Sequence, residues 1–261
     1  MGLRINQNIA AQNSYRNLSV TDGQMSKALE KLSSGFRINR AADDAAGLAI
    51  SEGLRSQVGG LKVGVRNAQD GVSVAQTAEG ALTEVHAMLQ RMNDLSVQYN
   101  SGTQNTESKA ALDQEFQALT NEITRITDNT KFNGVSLFNA TTLTFQVGYA
   151  TTDTITVSGT ALALVTTAGV TITDSSTVQL AITTISTQRA ALGAVQNRFE
   201  HSINSLNVAI ENLSASESRI RDTDMAQEMV AFTRSQILSQ AGTAMLAQAN
   251  QQSQGVLQLL R

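Results

Sequence analysis

The stretch "LSSGFRINRAADDAAGLAIS", residues 32–51, decides how the chain is organised, because it ends one helical segment and begins the next. A glycine turn is followed by Arg37 and Arg40 and then by the adjacent carboxylates Asp43 and Asp44. Aspartate is favoured at helix N-caps and in first turns, where it accepts hydrogen bonds from free backbone N–H groups. We therefore expect "DDAAGLAISEGL" to start a helix.

The same residues also suit a second interpretation, in which paired acids beside arginines transfer protons or bind a metal. No histidine, serine–base pair or metal-ligand cluster adjoins them in the sequence. The chain has no cysteine, and only His86 and His201 could offer imidazole nitrogens. We expect no catalytic residue, no metal site and no cofactor, and we interpret the pair as helix capping.

A second cluster, "SRIRDTDMAQE" at 218–228, has the same composition. It contains Arg219, Arg221, Asp222 and Asp224, and Asp224 followed by Gln227 and Glu228 indicates a helix start. If the chain returns antiparallel to its outward path, the two clusters lie near each other. We predict that arginines of one cluster meet carboxylates of the other, within a subunit or between subunits.

Composition narrows the classes of function. Charged residues make up 16% and the formal net charge is −3, so there is no basic face of the kind that nucleic acid requires. No apolar run approaches the roughly 18 residues of a membrane span, and "MGLRINQN" lacks the apolar core of a signal peptide. Aromatic residues make up only 4%, which favours long helices packed closely through small side chains.

Four stretches carry a helical period, which predicts narrow apolar stripes facing partner helices. The members of the four stripes are Val58, Leu61, Val65, Ala68, Val72 and Ala75; Leu112, Phe116, Leu119, Ile123 and Ile126; Ile203, Leu206, Ile210, Leu213 and Ile220; and Leu18, Met25, Leu29, Leu32 and Phe36. The first stripe shifts phase past Leu82 and continues to about residue 100. Ser101-Gly102 then breaks the helix, and the next one begins near Thr106.

The centre of the chain has a different pattern. Asn133-Gly134 in "KFNGVSLFN" is a strong turn signal. The alternating runs "TLTFQV" and "TITVSG", joined by "GYATTD", predict a β-hairpin. Residues 159–180 are rich in Thr and Val and suggest short strands or loops, and helical pattern resumes near Ile182.

These patterns predict a mainly α fold, with long antiparallel coiled-coil helices and a small β-hairpin region at the centre of the chain. Neither terminal arm is expected to be stable alone, because an isolated helix gains little without tertiary packing. Their pairing, and assembly with other copies, must supply the rest.

Three long motifs resemble bacterial flagellin: residues 32–51, "KFNGVSLFN" at 131–139, and "SRIRDTDMAQEMVAFTRSQILSQAGTAMLAQANQ" at 218–251. The ending "VLQLLR" is also similar to that family, so the resemblance covers roughly 1–140 and 185–261. It implies a coiled-coil arm and junction at 1–42, an outer helical bundle built from 43–140 and 185–221, a short hairpin region at 141–184, and a second arm at 222–261. Long flagellins carry large outer domains where this chain has only 141–184.

The resemblance implies a structural subunit that polymerises into the flagellar filament, is exported unfolded by the flagellar type III apparatus and is extracellular. Hook-associated proteins, cap proteins and an export chaperone are the expected partners besides other copies. Two alternatives remain open at this point: a hook-associated junction protein, which shares the plan of terminal arms, and a cytoplasmic coiled-coil adaptor.

Two further sets of residues follow from the resemblance. Residues Arg91, Leu95 and Glu115 match positions at which the flagellin-sensing Toll-like receptor of animals contacts the family, although Asn93 and Asp94 replace a basic residue and a glutamate. The arms are expected to assemble through apolar positions. These positions are Leu29, Leu32, Met229, Phe232, Met245, Val256, Leu259 and Leu260.

Overall fold

The computed structural model describes residues 7–138, 142–159 and 170–259, with side chains as far as residue 251. Its elements in chain order are α1 (Ile9–Ser34), α2 (Ala45–Tyr99), α3 (Thr106–Asn129), β1 (Lys131–Phe132), β2 (Val135–Ser136), β3 (Leu143–Gln146), β4 (Thr154–Val157), α4 (Ser175–Arg221) and α5 (Met225–Leu259). The predicted mainly α fold with a small central β region is confirmed.

The chain packs into two compact units. The first, called the arm unit here, comprises the described parts of 1–56 and 213–261; the second, the bundle unit, comprises those of 57–212. The boundaries fall within α2 and α4.

In the arm unit, α1 and α5 pack against each other through a regular heptad pattern. The least exposed positions of α1 that follow this pattern are Ala11, Ser14, Leu18, Thr21, Met25, Ala28 and Leu32. Those of α5 are Glu228, Phe232, Ser235, Ser239, Gly242, Leu246 and Ala249. Both sets alternate steps of three and four residues, which keeps a single stripe facing the partner helix along its length. We call this contact the arm interface.

Polar contacts across the arm interface show that α1 and α5 run antiparallel. The Asn8 side chain donates to the Ala249 carbonyl at 2.9 Å, and the Ser239 hydroxyl donates to Asp22 at 3.0 Å. Lys31 lies 3.8 Å from Glu228. As the residue number rises in α1 it falls in α5, so the three contacts belong to one register.

The bundle unit has a continuous apolar core that α2, α3 and α4 share. The predicted stripes of α2 and α3 are confirmed, since the stripe residues Val58, Leu61, Ala68, Ala75, Phe116 and Ile123 are buried and the others are half-buried. Past Leu82 the stripe continues through Val85, Leu89 and Met92, all at most 2% exposed. From α4, the core receives Val178, Ala181, Ile185, Leu192 and Phe199.

Two short antiparallel hairpins follow α3. Lys131–Phe132 pairs with Val135–Ser136 around Asn133 and Gly134, whose φ angles of 47° and 80° both lie in the left-handed region that an Asn-Gly turn accepts. The predicted hairpin of "TLTFQV" and "TITVSG" is confirmed as β3 and β4. It lies on α2, where the Asn67 side chain donates to the Gln146 carbonyl at 2.8 Å.

The predicted helix ends around 100–106 are confirmed, and the start of α4 differs from the prediction. Helix α2 ends at Tyr99, and Asn105 caps α3 by accepting from the Ser108 N–H at 2.7 Å. Helix α4 begins at Ser175, seven residues before the expected Ile182. The Asp174 carboxylate accepts from the Ser176 N–H and hydroxyl, and this local capping starts the helix in a segment whose Thr and Val content suggested strands.

Candidate functional site

The two charged clusters lie side by side, as predicted, and their backbones are paired. The Arg37 N–H donates to the Arg221 carbonyl at 2.6 Å, and the Thr223 N–H donates to the Gly35 carbonyl at 3.0 Å. Phe36 and Asp222 form an antiparallel bridge between these two bonds. We call residues 35–44 together with 219–224 the turn region. Its main-chain hydrogen bonds join the segment that follows α1 to the segment between the end of α4 and the start of α5.

Gly35 makes the exit from α1 possible. Its φ of 75° and ψ of 1° are left-handed, and its N–H donates to the Lys31 carbonyl at 2.8 Å. An L-residue with a side chain meets its own backbone in this conformation, whereas glycine does not. The same residue accepts the bond from Thr223, so one glycine both ends the helix and aligns the returning strand.

Two of the four aspartates of the turn region cap helices. Asp44 accepts from the Gly47 N–H at 2.9 Å at the start of α2, and Asp224 accepts from the Ala226 and Gln227 N–H groups at 2.9 and 3.2 Å at the start of α5. Asp222 accepts from the Ser218 hydroxyl at 2.6 Å. The capping interpretation therefore describes Asp44 and Asp224.

Asp43 departs from the predicted role, because it precedes the first turn of α2 and bonds backward. Its carboxylate accepts from the Arg40 N–H at 3.0 Å and the Asn39 N–H at 3.3 Å. The hydrogen bond from the Arg40 N–H lowers the pKa of this exposed carboxyl below its ordinary value, with smaller contributions from Asn39 and from nearby lysines. Asp43 thus holds the turn that leads into α2.

Within the chain, two of the four arginines meet carboxylates, and both partners are glutamates of the helices. Arg221 meets Glu52 of α2 at 2.7 Å, and its guanidinium lies 4.7 Å from the centre of the Phe36 ring. Arg40 pairs with Glu30 at 2.9 Å. The aspartates are already engaged with backbone N–H groups and Ser218, which leaves the arginines to take glutamates on the helices.

The remaining two arginines bind neutral acceptors. The Arg37 side chain donates to the Ile220 carbonyl at 2.8 Å, next to its own backbone bond to Arg221. Arg219 donates to the Ser216 hydroxyl at 3.0 Å. Sequence reasoning missed Glu52 because it lies about two turns inside α2, outside both clusters. Its spacing from Asp44 on a predicted helix could have indicated it.

The three positions matched to receptor contacts separate into surface and core. Arg91 of α2 and Glu115 of α3 are exposed and form an ion pair of 2.8 Å. This pairing raises the pKa of Arg91 above its ordinary value. Leu95, in contrast, is 0% exposed and belongs to the bundle core. The prediction that Leu95 is open to contact by a receptor is wrong, because Leu95 continues the buried stripe of Leu89 and Met92.

The predicted assembly positions fall into three groups. Leu32 and Phe232 lie in the arm interface. Leu29, Met229 and Met245 are exposed by 57%, 50% and 62%. The side chains of Val256 and Leu259, and all of Leu260, lie outside the part of the chain that the structure describes.

The exposed apolar side chains of α5 form a set that we call the outer apolar face. Its members are Met225, Met229, Val230, Ile237, Leu238 and Met245. Four of them, with Thr233 and Arg234, line a shallow groove along the helix. Helix α1 also exposes Ile9, Tyr15 and Val20. A soluble chain rarely leaves this much apolar surface open on one helix unless another molecule contacts it.

The arm interface also contains small and polar residues that a pattern of apolar side chains does not predict. Ser14, Thr21, Ser235, Ser239 and Gly242 occupy heptad positions beside Leu18, Phe232 and Leu246. At Gly242 an added Cβ would lie 3.2 Å from the Leu18 side chain, so the two helices approach closely there. The signal was available as a regular 3-4 spacing of small residues in α5.

Two negative findings apply to the residues that the structure describes. No helix among them combines the length and the hydropathy needed to cross a membrane. No group of three or more histidine, aspartate or glutamate side chains in the same ranges could hold a metal ion.

The paired terminal helices, the interface of small residues and the outer apolar face define a class: a structural protein with helical arms and a separate helical bundle. Comparison with known proteins gives the family. Residues 5–142 match the model of the bacterial flagellin N-terminal helical region, and residues 176–260 match that of the C-terminal helical region. The chain belongs to the bacterial flagellin family.

Individual relatives agree along nearly the whole chain. The chain is 53% identical to a flagellin of Halalkalibacterium halodurans, over 98% of its own length and 99% of the relative's. It is 47% identical to a flagellin of Bacillus subtilis, over 99% and 100%. Flagellin FlaB2 of Treponema pallidum is 42% identical over 98% and 99%. The chain is a subunit of the bacterial flagellar filament, and the hook-associated and adaptor alternatives gain no support.

Proposed function

We propose that copies of this chain polymerise by burying the outer apolar face of α5, together with the exposed apolar residues of α1, against neighbouring arm units. The observation that carries the proposal is the exposure of Ile237, Leu238 and Met245 by 50–62% on a helix that already packs against α1 through a different stripe of residues. The family supplies the occupant, since a filament consists of many copies of one chain.

The energy available at this face suits repeated association. Complete burial of one large apolar side chain contributes about 1.5–3 kcal/mol, and each member of the face is roughly half exposed. Six members therefore offer on the order of 6 kcal/mol per subunit before the cost of ordering. In a filament each subunit contacts several others at once, so several contacts together offset the single entropic cost of ordering that subunit.

The proposal extends to the path by which the subunit reaches the filament. The chain has no cysteine and thus no disulfide to block passage as an extended chain. Export through the flagellar type III apparatus with a chaperone, followed by assembly against hook-associated and cap proteins outside the cell, fits arms that expose apolar surface until neighbours bind. In this role the chain acts mechanically and carries out no reaction.

One substitution with a matched control tests the assembly surface. Ile237→Asp places a charge in the outer apolar face, and we expect the critical concentration for polymerisation to rise at least tenfold, since an unpaired charge would have to be buried. Gln236→Asp adds the same charge at the neighbouring exposed position. Far-ultraviolet circular dichroism confirms that both monomers keep their helices. Equal polymerisation of the two variants would show that the outer apolar face is not the assembly surface.

A second role, recognition by the flagellin-sensing Toll-like receptor, is favoured by the exposed Arg91–Glu115 pair joining α2 and α3. Its test replaces both residues by alanine and measures receptor signalling. The control replaces Arg125 and Glu122, an exposed pair of 2.6 Å within α3. Loss of signalling in the first variant alone supports recognition, and unchanged signalling in both contradicts it.

A further inference from the structure

The methionines of this chain divide sharply by exposure. The chain has seven methionines, and three of them, Met225, Met229 and Met245, are exposed by 47%, 50% and 62% on α5. Met92 of the bundle core is 0% exposed, and Met25 and Met88 are partly buried. Among the six methionines that the structure describes, the three exposed sulfurs therefore belong to the outer apolar face.

The composition directs two-electron oxidants to these sulfurs. The chain contains no cysteine, so methionine thioethers are its only sulfur groups, and it contains no tryptophan to compete for oxidant. The susceptibility of a methionine follows its exposure to solvent. Of the methionines that the structure describes, peroxide from solvent thus meets Met225, Met229 and Met245 first, while Met92 is shielded by the core.

We propose that the thioethers of Met225, Met229 and Met245 form a reversible oxidation site that controls polymerisation of the unassembled subunit. Each sulfur gives two electrons to a peroxide, takes one oxygen atom and becomes a sulfoxide, and the peroxide leaves as water. A dithiol reductase reverses the step, taking up the oxygen as water while its own thiols become a disulfide.

The consequence rests on the proposed assembly through the outer apolar face. A sulfoxide is polar and accepts hydrogen bonds, so burying it against a neighbouring copy without a partner opposes association. Met229 is the sharpest case, because it lines the groove with Val230 and Ile237. Once a subunit is in the filament its sulfurs are covered, and oxidation acts on the free chain.

The test compares polymerisation of the full chain before and after hydrogen peroxide, with sulfoxides located by mass spectrometry. In the monomer, Met225, Met229 and Met245 are expected to oxidise about tenfold faster than Met92. The critical concentration is expected to rise at least tenfold, in step with sulfoxide at the three exposed sites. Treatment with the two methionine sulfoxide reductases, one for each sulfoxide epimer, should restore the original value.

Two variants make the result specific, and each is judged by the ratio of its critical concentrations with and without peroxide. Replacing all three exposed methionines by leucine should bring this ratio close to one. Replacing Met88 and Met92 by leucine should leave it as high as in the parent chain. If the triple variant fails to assemble, the dose series decides, since loss of polymerisation must follow sulfoxide at Met225, Met229 and Met245.

The inference and the assembly surface can fail separately. Ile237→Asp is measured in the same series. If Ile237→Asp blocks polymerisation while the fully oxidised parent chain polymerises normally, the oxidation site is wrong and the surface stands. If Ile237→Asp polymerises normally, the surface itself is wrong. Loss of polymerisation that follows oxidation of Met88 or Met92 also overturns the inference.

Discussion

Gly71 of α2 is a position where adding one methyl group should destabilise the bundle, although alanine is the better helix former. A Cβ built at Gly71 would lie 2.5–2.8 Å from three ring carbons of Phe199. That ring is 0% exposed, and it packs edge-on against Phe145 with a centroid distance of 5.5 Å. Because the ring is fully buried and packs on Phe145, Gly71→Ala must displace a buried aromatic side chain.

The magnitude follows from two opposing effects. Alanine is favoured over glycine in a helix interior by about 1 kcal/mol. Overpacking a dense core costs about 1–3 kcal/mol, and three close contacts on a buried ring place this case near the upper end. We expect Gly71→Ala to lose about 2 kcal/mol of unfolding free energy. At Gly80 of the same helix an added Cβ meets nothing within 4 Å, so Gly80→Ala should gain about 1 kcal/mol.

Urea unfolding of the monomer, followed by far-ultraviolet circular dichroism, measures both variants against the parent chain. We expect the free energy of unfolding to be lower than that of the parent chain for Gly71→Ala and higher for Gly80→Ala. In a Phe199→Leu background the ring is gone, and the gap of about 3 kcal/mol between the two alanine variants should nearly close. A Gly71→Ala variant as stable as Gly80→Ala would refute the close packing of Phe199 on α2.

Three further predictions concern the turn region and the C-terminus. Gly35→Ala should lower the unfolding free energy of the arm unit by about 1 kcal/mol, because Gly35 has a φ of 75° that alanine adopts only with strain. Gly35→Asn should lower it by less, since asparagine tolerates that conformation. Thermal unfolding compares the two variants, and equal losses would contradict the role of the backbone conformation. The pKa of Asp43 in the folded chain lies below its ordinary value of 3.8, so the stability that this carboxylate contributes is full above pH 3.8 and is lost as pH falls through the lower folded-state pKa. The amide chemical shift of Arg40 should therefore titrate with a midpoint below pH 3.8. A midpoint at or above pH 3.8 would contradict the hydrogen bond from Arg40 to Asp43. Deletion of 256–261 should leave a folded bundle that fails to polymerise, and filaments of normal length from that truncation would exclude a role for these residues.

Much of the fold could be predicted because local patterns and burial agree. The stripes through Leu61, Ala68, Phe116 and Ile123 are buried as their spacing indicates. The Asn133-Gly134 turn is fixed by residues that accept a left-handed backbone, whatever surrounds them. The helix starts at Asp44 and Asp224 could also be predicted from local sequence, since a capping carboxylate bonds to N–H groups two or three residues away.

Predictions that required a partner in space were less successful. Arg221 takes Glu52 and the Phe36 ring instead of an aspartate, which no local rule selects. Leu95 matches a receptor-contact position of the family, and the packing of α2 buries it. For the assembly positions Met229, Phe232 and Met245, the apolar pattern left open which of them faces α1, and only Phe232 does.

The sequence by itself determined the helices, the hairpins, the turn at Gly35 and the flagellin family, because these depend on bonds and patterns within a few residues or on long motifs. Tertiary structure decided which side of each arm is covered. Helix α5 carries apolar residues on several sides, so hydrophobicity alone leaves its orientation open. Close approach at Gly242, Ser235 and Ala249 selects one side for α1, and Ile237, Leu238 and Met245 are thereby left exposed.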